Sequence, residues 1–312
     1  MQPLGPQVSV LMAVFNTAAY LHEALASIRD QSFSDFELIV IDDGSTDGSR
    51  ELLESFAASE PRMKLVVREN RGLVETRNEL LQAASGRLVA WMDSDDVSLP
   101  NRLELQIRHL DACPQVVCLG GAAQCIDPEG NLLNLERYPL NHCEILIAQQ
   151  KGGAMRFPTT MMRRQVALDA GGFRQPFRIG EDLDLLTRMS EVGKMANLDV
   201  TLYLYRQHLT SVVASLSIAW MAHLKVILEL ARERRETGFD RLQKGHSIEI
   251  PMPSPLRTEV MECEIYKNWS SRALENGNRR LAWKYAKAAL RAQPTAPGAW
   301  KLMARTVLKV LM

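Results

Sequence analysis

The 312-residue chain is 46% hydrophobic and 24% charged with a formal net charge of zero. That composition excludes a disordered or collagen-like protein, and the length predicts a core domain of about 200 residues with a smaller appendage. The charge is uneven, with 17 Lys and Arg against 9 Asp and Glu from Thr210 onward, so a tail of +8 follows a body of −8. Five cysteines, Cys113, Cys118, Cys125, Cys143 and Cys263, are odd in number and never fall at metal-ligand spacing. They argue against a zinc site or disulfide framework and for a reducing, cytosolic setting.

In chain order, the first six residues lack a basic and apolar leader pattern, so no signal peptide is expected. Residues 8–14 read as a strand, and Asn16 or Thr17 caps a helix that runs to Arg29. A second strand over 36–41 ends in Asp42-Asp43-Gly44, and Thr46 opens the next helix with Asp47 in its first turn. A third strand over 64–67, a helix over 74–84 and a fourth strand over 88–92 follow. This alternation predicts an α/β fold, a sheet covered by helices on both faces. Ser98 caps a further helix that tolerates Pro100 in its first turn.

From residue 116 the texture changes to short strands over 116–119, 122–126 and 132–135, with 127–131 as a turn between the last two. Residues 154–178 carry no pattern that decodes. A helix begins near Glu181-Asp182, and strands follow over 194–198 and 202–205. Residues 215–236 are helical, and the apolar stretch 216–230, broken by His223, Lys225 and Glu229, is too short and polar to span a bilayer. A Pro-rich linker over 245–257 leads to three helices over 259–274, 279–292 and 296–311. On the last two, Arg280, Lys284, Lys287 and Arg291, then Lys301, Arg305 and Lys309, form basic stripes opposite apolar faces. Such stripes fit either solvated faces or peripheral contact with a membrane surface.

The most informative segment is the fourth strand, which runs into Asp93-Ser94-Asp95-Asp96 at the carboxyl edge of the sheet, where open α/β sheets bind ligands. In extended chain Asp93 and Asp95 share a face, and two carboxylates so close repel unless a cation or a donor group relieves them. Mn²⁺ or Mg²⁺ held against substrate phosphates meets that need. An acidic turn that merely caps the following helix is the competing reading. A second acidic edge, Asp42-Asp43-Gly44-Ser45-Thr46-Asp47, weighs against it, because two strands then deliver carboxylates to one rim. No glycine occurs in Ala13-Val14-Phe15-Asn16-Thr17, which excludes a dinucleotide-binding fingerprint after strand one.

Val14-Phe15-Asn16, Asp42 to Asp47, Asn70-Arg71-Gly72 with Arg77-Asn78, Asp93 to Asp96, Gly171-Gly172-Phe173 and Glu181-Asp182 stand in an order that resembles the family 2 glycosyltransferases. The resemblance covers about residues 8–210 and implies the GT-A fold, a mostly parallel central sheet with helices on both faces, here followed by a C-terminal α-helical extension. It divides the chain into a catalytic domain over 1–210 and an extension over 211–312. It implies inverting transfer of a sugar from a UDP- or dTDP-sugar to the hydroxyl of a glycan or lipid-linked acceptor, in cell-surface glycan biosynthesis. A cytoplasmic enzyme resting on the inner face of the membrane fits this reading, and no nucleic acid is expected as a partner.

Carried over by position, Asp43 hydrogen-bonds the nucleobase, Val14, Phe15 and Asn16 line the base, and Asp93 with Ser94 meets the ribose side. Arg71, Gly72 and Arg77 are placed toward the nucleotide or its phosphates, and Asp95 holds the metal. Asp182 is the general base, with Glu181 and Asp184 as neighbours able to take its place. His208, in Tyr205-Arg206-Gln207-His208, is a metal or phosphate contact. Ala13 departs from the family, which usually has proline there. A nucleotidyltransferase would need a Gly-rich, basic loop after strand one, and residues 13–17 offer neither. A non-catalytic family member would have lost carboxylates, and Asp43, Asp93, Asp95 and Asp182 are all present.

Overall fold

The structure, a computed structural model, describes residues 5–209, 217–251 and 257–311. The start of the helix expected from residue 215 and most of the Pro-rich linker lie outside the described residues. Two compact units are present. The first comprises residues 1–123, 137–204 and 220–250, and the second 124–136, 205–219 and 251–312, whereas the sequence alone divides the chain at 210.

Four apolar segments form the parallel half of the sheet: β1 (Val8–Val14), β2 (Phe36–Asp42), β3 (Met63–Val67) and β4 (Leu88–Asp93). The helices after the first three are α1 (Ala18–Arg29), α2 (Ser49–Ala57) and α3 (Leu73–Ala83). Leu11, Ile39, Ile41, Val89 and Trp91 pack with Leu80 and Leu81 of α3. The alternate residues Val10, Met12, Leu38 and Val40 are equally buried, as a strand with period-two side chains requires when both faces are covered.

A two-residue strand β5 (Val97–Ser98) precedes α4 (Arg102–Ala112), and β6 (Val116–Ile126) and β7 (Leu132–Glu136) follow. Next come α5 (His142–Gln149), a 3₁₀ turn over Phe157–Thr159, β8 (Met161–Arg163) and α6 (Arg164–Asp169). Then follow α7 (Glu181–Ser190), β9 (Lys194–Arg206) and α8 (Ser217–Thr237). The sheet order is β3-β2-β1-β4-β8-β6-β9-β5, with β7 paired to β6. Pairing is parallel from β3 to β4 and antiparallel where β8 meets β4 and β6 and where β5 meets β9.

Register fixes the functional edge. Val14 lies opposite Asp42, and Ala13 opposite Asp93, so the segments leaving β1, β2 and β4 begin at one level of the sheet. Two sequence expectations about caps are corrected here. Thr46 does not cap α2, which starts at Ser49 behind Gly48. Ser98 lies in β5 rather than at a helix start, and the N–H of Leu103 in the first turn of α4 donates instead to the Gln31 side chain at 3.2 Å. The strands expected over 116–119 and 122–126 form one strand, as do those over 194–198 and 202–205. Gly120 and Gly121 sit mid-strand: a Cβ on Gly120 would lie 2.3 Å from Asn197 Oδ1, and one on Gly121 2.4 Å from the Leu202 side chain. These glycines serve close packing rather than a turn.

In the second unit, α9 (Thr258–Glu275), α10 (Arg279–Ala292) and α11 (Pro297–Leu311) form the helical extension. Trp269, Leu274, Leu281 and Tyr285 build a small core with Cys125 and Leu133. The Tyr285 hydroxyl donates to Asp127 at 2.6 Å, and Lys284 donates to Glu129 at 2.6 Å. No helix among the described residues is long and apolar enough to cross a membrane.

Candidate active site

Loops after β1 and β2 are latched together. Asn16 takes a left-handed backbone (φ 53°), which asparagine accepts more readily than other side chains. Its side-chain oxygen accepts from Thr46 N at 2.8 Å, and its own N–H donates to Ser45 Oγ at 3.0 Å. The N–H of Ala18, in the first turn of α1, donates to Asp47 at 2.9 Å, so a carboxylate from the neighbouring loop fills the place of a local cap. Val14 is buried and Phe15 is half exposed beside it. Ser94 is buried, and its hydroxyl accepts from Thr17 Oγ1 at 2.9 Å, which joins the β4 loop to the same array.

Asp43 organises the next loop. Its two oxygens accept from the backbone N–H groups of Arg71 and Gly72, each at 2.9 Å, and the buried Arg68 guanidinium pairs with it. Arg68 also donates to Thr76 Oγ1 at 2.8 Å, which in turn donates to the Gly72 carbonyl at 2.9 Å. Gly44 has φ 83°, and a Cβ there would lie 2.8 Å from Asn70 N, so glycine is required for the two loops to touch. The Arg71 side chain is exposed and reaches Glu75 at 3.5 Å.

Arg77 is the centre of the acidic rim. Its guanidinium donates to Glu181 Oε1 at 2.6 Å and lies 3.6 Å from Asp93 Oδ1. It sits over the rings of Phe157, Phe173 and Trp91, at 4.6, 5.6 and 6.0 Å from their centroids. Buried in this aromatic box, Arg77 points into the protein and joins β4 to the start of α7, rather than standing at the surface. The Asp93 N–H donates to the hydroxyl of Tyr203, which is fully buried, at 3.1 Å.

Although 36% of the Asp93 side chain reaches the rim, burial pushes its carboxyl up to about 6. Arg77 opposes that rise, while Asp95 and Asp182 add like-charge repulsion. Burial pushes Glu181 up to about 7, again against Arg77 and reinforced by Asp182 and Asp93. Four carboxylates thus converge on Arg77, and burial, reinforced by their mutual repulsion, outweighs its attraction. Among the described residues no three His, Cys, Asp or Glu side chains form a group able to hold a metal by themselves. A hard divalent ion needs less: one or two carboxylates, with substrate phosphates and water completing its shell, suffice. The repulsion of Asp93 by Asp95 and Asp182 fits such an ion.

Asp182 occupies the first turn of α7, where its side chain accepts from Leu183 N at 2.7 Å. Asp184, the alternative on the same helix, is fully buried and held by Arg174 and Arg188, so it is closed to substrate. Arg174 continues to Asp240 at 2.7 Å, and Arg234 pairs with Asp240 and with Glu191. Asn78 pairs with both backbone groups of Phe173, at 2.8 and 2.9 Å, which positions one wall of the aromatic box. His208 belongs to the second compact unit, where it is buried just after β9.

The structure therefore brings Asn16, Asp43, Arg71, Gly72, Arg77, Asp93, Ser94 and Asp182 onto elements of one unit. Arg68, Tyr203, Trp91 and Phe157 went unnoticed in the sequence, and Phe173 was noted only as the end of the Gly171-Gly172-Phe173 motif. Single residues scattered over 135 positions leave no local pattern, and only Arg68, between β3 and the Asn70-Arg71-Gly72 motif, had a positional cue.

Comparison with known proteins bears on the family and the fold. EpsE of Bacillus subtilis (strain 168), named as a glycosyltransferase, is 32% identical over 214 residues, spanning 65% of this chain and 74% of that protein. A chondroitin synthase of Escherichia coli is 26% identical over 226 residues, 72% of this chain and 32% of the synthase. The crystal structure of residues 1–349 of S. aureus TarS, in complex with UDP-GlcNAc, superposes over 97% of this chain and 89% of that one. Its TM-score is 0.61 at 17% identity, a likeness of fold. The family described as Glycosyl transferase family 2 matches residues 9–172, the stretch that holds both acidic edges, Arg77 with Trp91 and Phe157, and the glycines before Phe173. Covering more than half of the sequence, that match makes the chain a member of glycosyl transferase family 2.

Proposed function

We propose that this glycosyltransferase moves a sugar from a UDP- or dTDP-sugar to an acceptor hydroxyl with inversion at the anomeric carbon. The observation that carries the reading is the convergence of Asp93, Asp95, Glu181 and Asp182 around Arg77 at the carboxyl edge of the sheet. The latched loops at Asn16 and Asp43 form the nucleotide side. Asp43 Oδ2, which accepts only from Gly72 among the described residues, keeps a lone pair for a nucleobase N–H. Asp93 and Ser94 face the ribose, and Asp95, seconded by Asp93, would hold Mn²⁺ or Mg²⁺. When bound, that ion neutralises charge growing on the departing diphosphate.

In the transfer, the acceptor oxygen attacks the anomeric carbon from the face opposite the diphosphate while the bond from that carbon to the phosphate oxygen breaks. The acceptor proton passes to the Asp182 carboxylate, and the nucleoside diphosphate leaves with the bonding electron pair. Asp182 suits this role because it stands at the mouth of the acidic rim, with Glu181 and Asp184 committed to arginines. Arg71 remains the exposed cation beside the nucleotide loop. The product is a glycan of the cell surface.

Thermal-shift measurements with UDP, dTDP, GDP and CDP, each with and without Mn²⁺, test this assignment. A ligand at 100 times its Kd stabilises the fold by about 2.7 kcal/mol. The expected result is metal-dependent stabilisation by UDP or dTDP that disappears in Asp95→Ala. Stabilisation by GDP or CDP alone would overturn the donor assignment, and none by any nucleotide would overturn the donor site itself.

A further inference from the structure

From Arg279 to the end of the sequence the chain has eight basic residues and not one Asp or Glu. Lys284 is engaged with Glu129, but Arg279, Arg280, Lys287, Arg291, Lys301, Arg305 and Lys309 have no acidic partner within ion-pair distance among the described residues. All seven are exposed. Seven unneutralised cations on two short helices repel one another, and a partner of opposite charge would relieve them.

Large apolar side chains stand among these cations. On α10, Leu281, Ala282, Tyr285, Ala286 and Ala289 are buried, and the opposite stripe runs Arg280, Trp283, Lys287, Arg291. Lys287 Nζ lies 5.4 Å from the Trp283 ring, so charge and indole share one patch. On α11, Trp300, Ala304 and Leu308 recur every fourth residue on the exposed side, beside the row Lys301, Arg305, Lys309. Trp300 is 58% exposed and Leu308 64%. The Trp300 indole N–H already donates to the Pro294 carbonyl at 2.8 Å, so its ring can enter an apolar phase without leaving a donor unpaired. Two indoles, a leucine and seven free cations on adjacent helices are what an interfacial helix presents to lipid.

We propose that the exposed faces of α10 and α11 dock the protein on a bilayer rich in anionic phospholipid, with the basic side chains at the phosphates and Trp300 and Leu308 in the acyl boundary. Leu308 favours lipid over a nucleic acid, since an aliphatic side chain gains nothing against a phosphate backbone. The surface is independent of the donor site.

Vesicle co-sedimentation of the full-length protein tests the proposal. Vesicles of phosphatidylcholine containing about one-third phosphatidylglycerol are compared with phosphatidylcholine alone, at low and high salt. Binding is expected only to the anionic vesicles and to weaken with salt. Each basic residue near such a surface contributes about fivefold in affinity, so K287Q/R291Q/K301Q together should weaken binding roughly 100-fold. W300S/L308S should leave the salt dependence but lower affinity at every salt concentration. All five positions are exposed, so circular dichroism and UDP-induced thermal shift should match the parent protein. Unchanged vesicle binding by the triple variant, equal binding to both vesicle types, or binding to duplex RNA with none to vesicles would each overturn the proposal.

Discussion

Glu181→Gln separates two opposing effects in the Arg77 box. A buried ion pair broken from one side usually costs about 3–5 kcal/mol, because the remaining charge is stranded. Arg77 is not stranded here: Asp93 lies 3.6 Å away, and repulsion from Asp182 and Asp93 helps to raise the Glu181 carboxyl to about 7 from its ordinary 4.5. A carboxyl whose folded value exceeds its unfolded value favours the fold while protonated. That contribution is complete below pH 4.5 and is lost as pH rises through 7. At about 1.36 kcal/mol per pH unit the loss amounts to about 3 kcal/mol. Glutamine mimics the protonated acid, so Glu181→Gln should match the parent protein at pH 4.5 and exceed its stability by up to that amount at pH 8. Urea unfolding of both proteins across this range measures the difference. A variant destabilised by several kcal/mol at pH 8 would refute the argument and show that the Arg77 pairing dominates. Transfer activity should nevertheless fall, since Glu181 helps to set the position of Asp182.

Asp182→Asn should lower kcat by about 10²–10⁴ while leaving nucleotide-induced thermal stabilisation unchanged, a split that assay of both quantities would reveal. Gly172→Ala places a methyl carbon 2.5 Å from Asn78 Oδ1 at a residue with φ 63°; a loss of about 2–3 kcal/mol in chemical unfolding is expected. Asp184→Ala strands Arg188 in the interior, leaves Arg174 with Asp240 alone and should cost about 3–5 kcal/mol or prevent folding, read by expression level and circular dichroism. Tyr203→Phe removes the acceptor for the Asp93 N–H and should cost about 1–3 kcal/mol in the same unfolding assay.

Legibility followed sequence locality. The parallel strands β1, β2 and β4 were visible because each is a run of apolar residues buried on both faces, and each carboxylate edge directly continues a strand, as Asp93 continues Met92. The span 154–178 was opaque because its pieces are too short for periodicity to show. β8 has three residues and exists through its pairing with β4 and β6. Gly120 and Gly121 looked like a break, because a sequence does not display Asn197 and Leu202 crossing close by. Arg77 was found as a residue and placed toward the nucleotide or its phosphates, but its pairing with Glu181 was not foreseen. What turns it inward is an aromatic box assembled from β4, the 3₁₀ turn and the segment after α6.

The chain of alternating charges from Arg188 through Asp184, Arg174, Asp240 and Arg234 to Glu191 bears on grafting between relatives. Its three arginines balance its three carboxylates, and two of the six, Arg234 and Asp240, come from sequence after residue 210. A chimera joined at residue 210 with a foreign C-terminal part would remove one anion and one cation from a buried, neutral set, leaving Glu191 and Arg174 each short of a counterion. Swaps of the helical extension should therefore be joined beyond residue 250, so that α8 and the turn holding Asp240 travel with the recipient. The natural seam for recombination is the Pro-rich stretch, and lineages that exchange their tails are expected to do so there.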